Sequence, residues 1–206
     1  MVSEKILKGI SAGLMIAIGG CVFLACENRY VGAVLFSVAL LSICYKGYYL
    51  FTGKVGFLPE KHGKEEVSIV LFALLGNAIA TVLFGWLVSC AIPNLQPTAL
   101  TICQAKLGQT LVQGFVRAVL CGVLMYMAVS IYRDNKSVWG IFFCVPVFIL
   151  SGFEHSIADM FYFAVSGITS LKAFGYIWLI IFGNAVGGML LPWLNSVKQR
   201  EESHAG

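Results

Sequence analysis

Ser151-Gly152-Phe153-Glu154-His155-Ser156-Ile157-Ala158-Asp159-Met160-Phe161 is the stretch on which the fold turns. It sets two carboxylates and an imidazole inside otherwise apolar sequence running from Val138 to Thr169. In a bilayer, each ionised side chain at mid-depth costs roughly 2.5–3.5 kcal/mol on insertion scales. Residues of this kind therefore face a water-filled path or another helix. The stretch makes His155 the candidate centre of a permeation pathway.

Composition supports a membrane setting. The chain has 206 residues, of which 59% are hydrophobic and 12% charged, with a mean hydropathy of +0.86. A soluble domain carries about 25% charged residues. The formal charge of +4 speaks to topology: the basic residues lie in short loops, without the aromatic-interleaved stripe that nucleic acid requires. Seven cysteines form no Cys-x-x-Cys pair and nearly all sit in apolar segments, where cysteine behaves as a small hydrophobe. No metal, disulfide or cofactor is expected. The segment from Ile6 to Ala25 exceeds a signal-peptide core and lacks a clear cleavage site, so it reads as a span.

The hydropathy pattern predicts six spans in one channel domain over residues 1–206. Span one covers Ile6–Cys26. Span two starts near Tyr30 and loses regularity after Cys44, in Tyr45-Lys46-Gly47-Tyr48-Tyr49-Leu50-Phe51-Thr52-Gly53-Lys54-Val55-Gly56. Span three covers Val67–Ile92, and a loop with Pro93 and Pro97 follows. Span four covers Leu107–Tyr132 and contains Arg117, for which an ion pair between protomers is expected. Span five starts at Val138, is interrupted over Gly152–Asp159 and resumes to Ser166. Span six covers Ala173–Leu194. Counting Lys and Arg on alternate sides gives nine against three, which predicts that both termini are cytoplasmic in a multi-pass inner-membrane protein.

The segments echo one another. Leu75-Gly76-Asn77-Ala78-Ile79-Ala80 in span three and Phe182-Gly183-Asn184-Ala185-Val186-Gly187 in span six each follow an interrupted span by a similar distance. Three spans per unit is odd, so the second unit enters the membrane inverted; the units are expected at about 5–92 and 107–195. Broken helices at matching places in inverted repeats point to a mid-membrane site, because non-helical backbone survives at that depth only where protein or water covers it. Small residues in Gly-Asn-Ala also suit close helix packing.

At these residues the chain resembles the formate–nitrite transporters, a family of pentameric anion channels with an aquaporin-like, all-α protomer. Gly152-Phe153-Glu154-His155-Ser156-Ile157-Ala158-Asp159-Met160-Phe161, Leu50-Phe51-Thr52-Gly53 and Gly183-Asn184-Ala185-Val186-Gly187-Gly188 carry the likeness, which extends from about Lys5 to Leu194. It implies that His155 is the central pore histidine and Thr52 its partner. It further implies that Leu40, Leu50 and Phe51 line a cytoplasmic constriction, and Phe36 and Phe148 a periplasmic one. Lys106 matches a vestibule lysine and Asn184 an asparagine near the central site. The chain departs from the family at Tyr49, usually acidic, at Lys54, commonly polar and uncharged, and at Gly122, where a pore-proximal asparagine is usual. The long amino-terminal helix of many members is almost absent.

The chemistry follows from desolvation. A bare anion crossing a dry ring of Phe and Leu loses many kcal/mol of hydration, whereas its conjugate acid crosses as a small neutral molecule. Lys106 is expected to draw anions into the vestibule, with His155 donating a hydrogen bond or a proton and Thr52 offering its hydroxyl. Glu154 and Asp159 are expected to accept backbone N–H groups at the restart of the broken helix. Lys54 either extends an anion funnel or follows the positive-inside bias. The expected permeants are formate first, then nitrite or hydrosulfide; an aquaporin-like pore for neutral solutes is the alternative. No nucleophile or metal pattern accompanies Glu154 and His155, so no enzymatic role is expected.

Overall fold

The computed structural model describes residues 2–61 and 63–204, with side chains through residue 196. It is all-α among these residues. The helices are α1 (Val2–Ala25), α2 (Arg29–Lys46), α3 (Phe51–Lys54), α4 (Lys64–Ala91), α5 (Gln96–Leu107), α6 (Leu111–Asn135), α7 (Trp139–Leu150), α8 (Ser156–Ser166) and α9 (Leu171–His204). Five of them (α1, α2, α4, α6 and α9) are long and apolar enough to cross a membrane. The shorter apolar helices α7 and α8 follow one another across the break at Ser151–His155. Exposed Leu, Val, Phe and Trp side chains, such as Leu71, Trp86, Phe143 and Phe182, line the outside of these helices, as a lipid-facing surface requires.

Local sequence sets the ends. Asn28 caps α2 by accepting the amide protons of Tyr30 and Val31, and Gly47, at φ 65°, stops it. Thr110 and Gln113 form a reciprocal capping box, which starts α6 at Leu111 rather than at the expected Leu107. The stretch before it is not a loop: Pro97 sits in the first turn of α5, where its missing N–H costs nothing. The second break is also shorter than expected. Helix resumes at Ser156, so Asp159 lies inside α8 rather than in the interruption.

Two helix pairs form the frame, α1 on α4 and α6 on α9. Their backbones approach closely. A Cβ on Gly13 would stand 2.7 Å from Ala80 Cβ, and one on Gly187 would collide with the Val119 carbonyl. Gly122 likewise faces the Asn184 carbonyl with no room for a side chain. The departure at Gly122 is therefore a packing contact in this chain, not an emptied pore position.

Candidate functional site

The two breaks are held by the same set of bonds. At the first, Tyr49 N–H donates to the Lys8 carbonyl (3.1 Å). Asn77, fully buried, accepts the Phe51 N–H (2.8 Å) and donates to the carbonyls of Gly9 (2.8 Å) and Tyr49 (2.9 Å). At the second, Glu154 N–H donates to the Arg117 carbonyl (3.3 Å). Asn184, also fully buried, accepts the Ser156 N–H (2.8 Å) and donates to the carbonyls of Ala118 (2.9 Å) and Glu154 (2.8 Å). Lys8-Gly9 thus corresponds to Arg117-Ala118, Tyr49 to Glu154, Leu50 to His155, and Asn77 to Asn184. Each amide satisfies an orphan N–H and an orphan C=O that unwinding creates. The repeated Gly-Asn-Ala marks Asn77 in the sequence, and its equivalence to Asn184 is the signal that points to its role.

The breaks meet at their centres. His155 Nε2 lies 2.9 Å from Thr52 Oγ1, with both residues buried. His155 is also the cap of α8: its Nδ1 accepts the Ala158 N–H at 3.2 Å. A nitrogen that accepts carries no proton, so this arrangement describes a neutral ring with its proton on Nε2. That proton points at Thr52, whose own hydroxyl proton is left for a further acceptor. The ring stacks on Phe148 (5.5 Å, 20°), which meets Phe36 edge-on (6.4 Å, 85°).

Cavities approach this pair from opposite ends. The α5 cavity, about 440 Å³, reaches His155 past Phe36 and Phe148. The α3 cavity, about 300 Å³, reaches Leu40, Leu50 and Gly53, and its mouth carries Lys54, Lys61, Arg133 and Lys136. Thr52 sits between them, lining neither. Phe51, expected in the constriction, is buried beside Thr52 and lines neither of these two cavities, and its backbone N–H serves the Asn77 clamp. Lys54 and Lys8 bracket the ring of Tyr49, at 4.9 and 5.0 Å from its centroid.

The carboxylates behave differently from the expectation for a helix start. Glu154 accepts from Lys106 and, at 2.7 Å, from Gln109 Nε2; Asp159 pairs with Lys106 Nζ at 2.8 Å. Because the His155 ring already takes the Ala158 N–H, the carboxylates are free to hold α5 against the break. Lys106 is half-buried, lines the α5 cavity and is ion-paired there, so its charge is compensated rather than free. Burial works against its charge, but Asp159 and Glu154 together hold its pKa above the usual lysine value. One ammonium facing two carboxyl groups leaves this cluster with no net positive charge. Among the described residues no group of His, Cys, Asp and Glu could hold a metal ion.

Comparison with known proteins identifies relatives of the chain and of its fold. A family model described as formate/nitrite transporter matches residues 2–197. The chain is 29% identical over 209 residues to a probable formate transporter of Methanothermobacter thermautotrophicus, covering 83% of this chain and 76% of the relative. It is 25% identical over 207 residues to the nitrite transporter NirC of Salmonella typhimurium, covering 90% and 76%. Among solved structures, a pentameric formate channel with formate bound superposes with a TM-score of 0.80 at 24% identity, covering 95% of this chain and 98% of that one.

Proposed function

The chain belongs to the formate/nitrite transporter family, and from that premise we propose a channel for small monovalent anions of weak acids, formate first and nitrite or hydrosulfide next. The observation that carries the reading is the buried His155–Thr52 bond in the packed layer between two separate cavities. The protomer is a single domain of two inverted repeats, about 5–92 and 107–195, and it assembles as a homopentamer in the bilayer. Both termini face the cytoplasm, so the α3 cavity, with Lys54, Lys61, Arg133 and Lys136 at its mouth, is the inner vestibule. The α5 cavity is the outer one.

An anion that reaches Phe36 and Phe148 meets an aromatic neck whose rings offer no replacement for its water. Protonation there trades an ion's desolvation for that of a hydroxyl and a carbonyl, a cost lower by many kcal/mol. The hydrogen-bond chain from His155 Nε2–H to Thr52 Oγ1 and from the Thr52 hydroxyl to the permeant polarises the anion at the neck. Since Nδ1 is committed to capping α8, His155 acts here as a donor through Nε2. The proton joining the anion then comes from vestibule water. Beyond Leu40 and Leu50 the acid ionises again.

Purified protein in liposomes tests this reading. Formate flux is expected to rise as pH falls from 7 to 5, and His155→Phe is expected to remove most of the flux and its pH dependence. Unchanged flux in that variant, or swelling with neutral solutes and no formate passage, refutes it.

A further inference from the structure

The Lys106 pairings leave the α5 cavity without its expected source of positive charge. Two other cations line it, Arg29 at the rim and Arg117 inside. Arg29 is exposed and gives Nη2 to the carbonyls of Ile149 and Leu150 at the end of α7 (3.2 and 3.4 Å). Arg117 is half-buried in α6, a helix otherwise apolar enough to cross a membrane. Within the single protomer, and among its described residues, neither arginine has an ion pair with a carboxylate. A guanidinium at such a place, without an acid partner, marks an anion path.

The location of Arg117 is set by the frame. Its carbonyl accepts the Glu154 N–H and so pins the break. Its Nη1 lies 3.7 Å from where a Cβ on Gly152 would stand. Gly152 is a left-handed residue (φ 68°) three positions before His155. In the other half the equivalent residue is Lys8, which is occupied by Glu4 at 2.8 Å and by the Tyr49 ring. The two halves therefore place a cation at the same position, ion-paired in one and, within the protomer, facing the α5 cavity in the other.

We infer that Arg117, with Arg29 at the rim, is the anion-recognition site of the α5 vestibule and takes planar oxyanions such as formate and nitrite in the fork of the guanidinium. Arginine suits this task because its planar donors match two oxygens at once, whereas a spherical anion engages only its charge. The paired cluster of Lys106, Glu154 and Asp159 contributes no net positive charge and the arginines +2, so the net attraction in this cavity is theirs. This rests on the reading of the chain as a small-anion channel.

The test combines passage and binding in the full chain. In liposomes at low ionic strength, Arg117→Gln is expected to raise the half-saturation concentration for formate and nitrite about fivefold, the weight of one unit charge a few ångströms away in water. It should also flatten the salt dependence of flux, a readout that a merely structural role would not move. Arg117→Lys should keep the salt dependence but lose the preference of formate and nitrite over hydrosulfide. Binding of ¹³C-formate to detergent-solubilised protein, followed by line broadening, should weaken in Arg117→Gln alongside flux. Wild-type selectivity in Arg117→Lys, or unchanged formate binding in Arg117→Gln, overturns the inference. Arg117-dependent binding in a protein that passes no formate upholds this site while removing the channel reading.

Discussion

Replacing Asn184 with alanine removes three hydrogen bonds, at 2.8, 2.9 and 2.8 Å, from a fully buried side chain. The Ala118 carbonyl lies inside α6 and keeps its helical partner. Ser156 N–H and Glu154 C=O have no such reserve, because the chain is unwound between them. A buried polar group left unpaired costs about 1–3 kcal/mol, so two of them cost roughly 2–6 kcal/mol, and a loss near 3 kcal/mol is expected. Interhelical hydrogen bonds in membrane proteins average only about 0.6 kcal/mol, because the separated helices find other partners. The two values decide between interpretations: an ordinary cross-helix bond would give a loss near or below 1 kcal/mol. Unfolding by sodium dodecyl sulfate from dodecyl maltoside micelles, followed by tryptophan fluorescence, measures the difference. Asn77→Ala should cost the same within experimental scatter, since its bonds are equivalent. Asn184→Asp keeps an acceptor for Ser156 N–H but turns an oxygen toward two carbonyls, so it should be no milder than alanine. A loss under 1 kcal/mol for either alanine variant, or a neutral Asn184→Asp, refutes the clamp argument.

Three further outcomes follow from the same geometry. Lys106→Met strands two buried carboxylates and should destabilise the protein by about 3–5 kcal/mol; a triple variant that also carries Glu154→Leu and Asp159→Leu should recover much of that loss in the same unfolding titration. Gly187→Val forces side-chain atoms into the Val119 carbonyl and should cost at least about 1–3 kcal/mol, read as loss of folded protein on size-exclusion chromatography, whereas Gly175→Ala, with open space around it, should elute normally. His155→Asn retains a side chain able to cap α8 and His155→Phe does not, so Phe should be less stable by about 1 kcal/mol; equal stability of the two would remove the cap from the role assigned to Nδ1.

The legible part of the fold was the part written in hydropathy and in special residues. Runs of apolar sequence gave the long helices, Gly47 and the charged stretch after Ser151 gave both breaks, and the doubled Gly-Asn-Ala gave the correspondence between halves. The capping box Thr110-x-x-Gln113 was equally readable and would have separated α5 from α6. What stayed hidden depended on contacts between distant residues. Lys106 and Glu154 are 48 positions apart, and nothing in either neighbourhood says that the lysine is consumed by carboxylates. Nor does periodicity reveal that the His155 ring caps its own helix, because capping depends on which nitrogen faces the chain. Phe51 illustrates the same limit: its residue type suits a greasy neck, and nothing in the sequence says that its backbone N–H, at the first turn of α3, also serves Asn77.

The matched clamps separate scaffold from chemistry. Both are built from backbone groups and a pair of amides, and the bonds of neither asparagine involve the side chains at positions 50 and 155, although the His155 ring separately caps α8. The fold therefore tolerates a wet residue at one station and an oily one at its twin, and the passage acquires unlike entrances from a duplicated frame. Retuning such a conduit for another solute requires exchanging the occupants of those stations, with the masonry around them left as it stands.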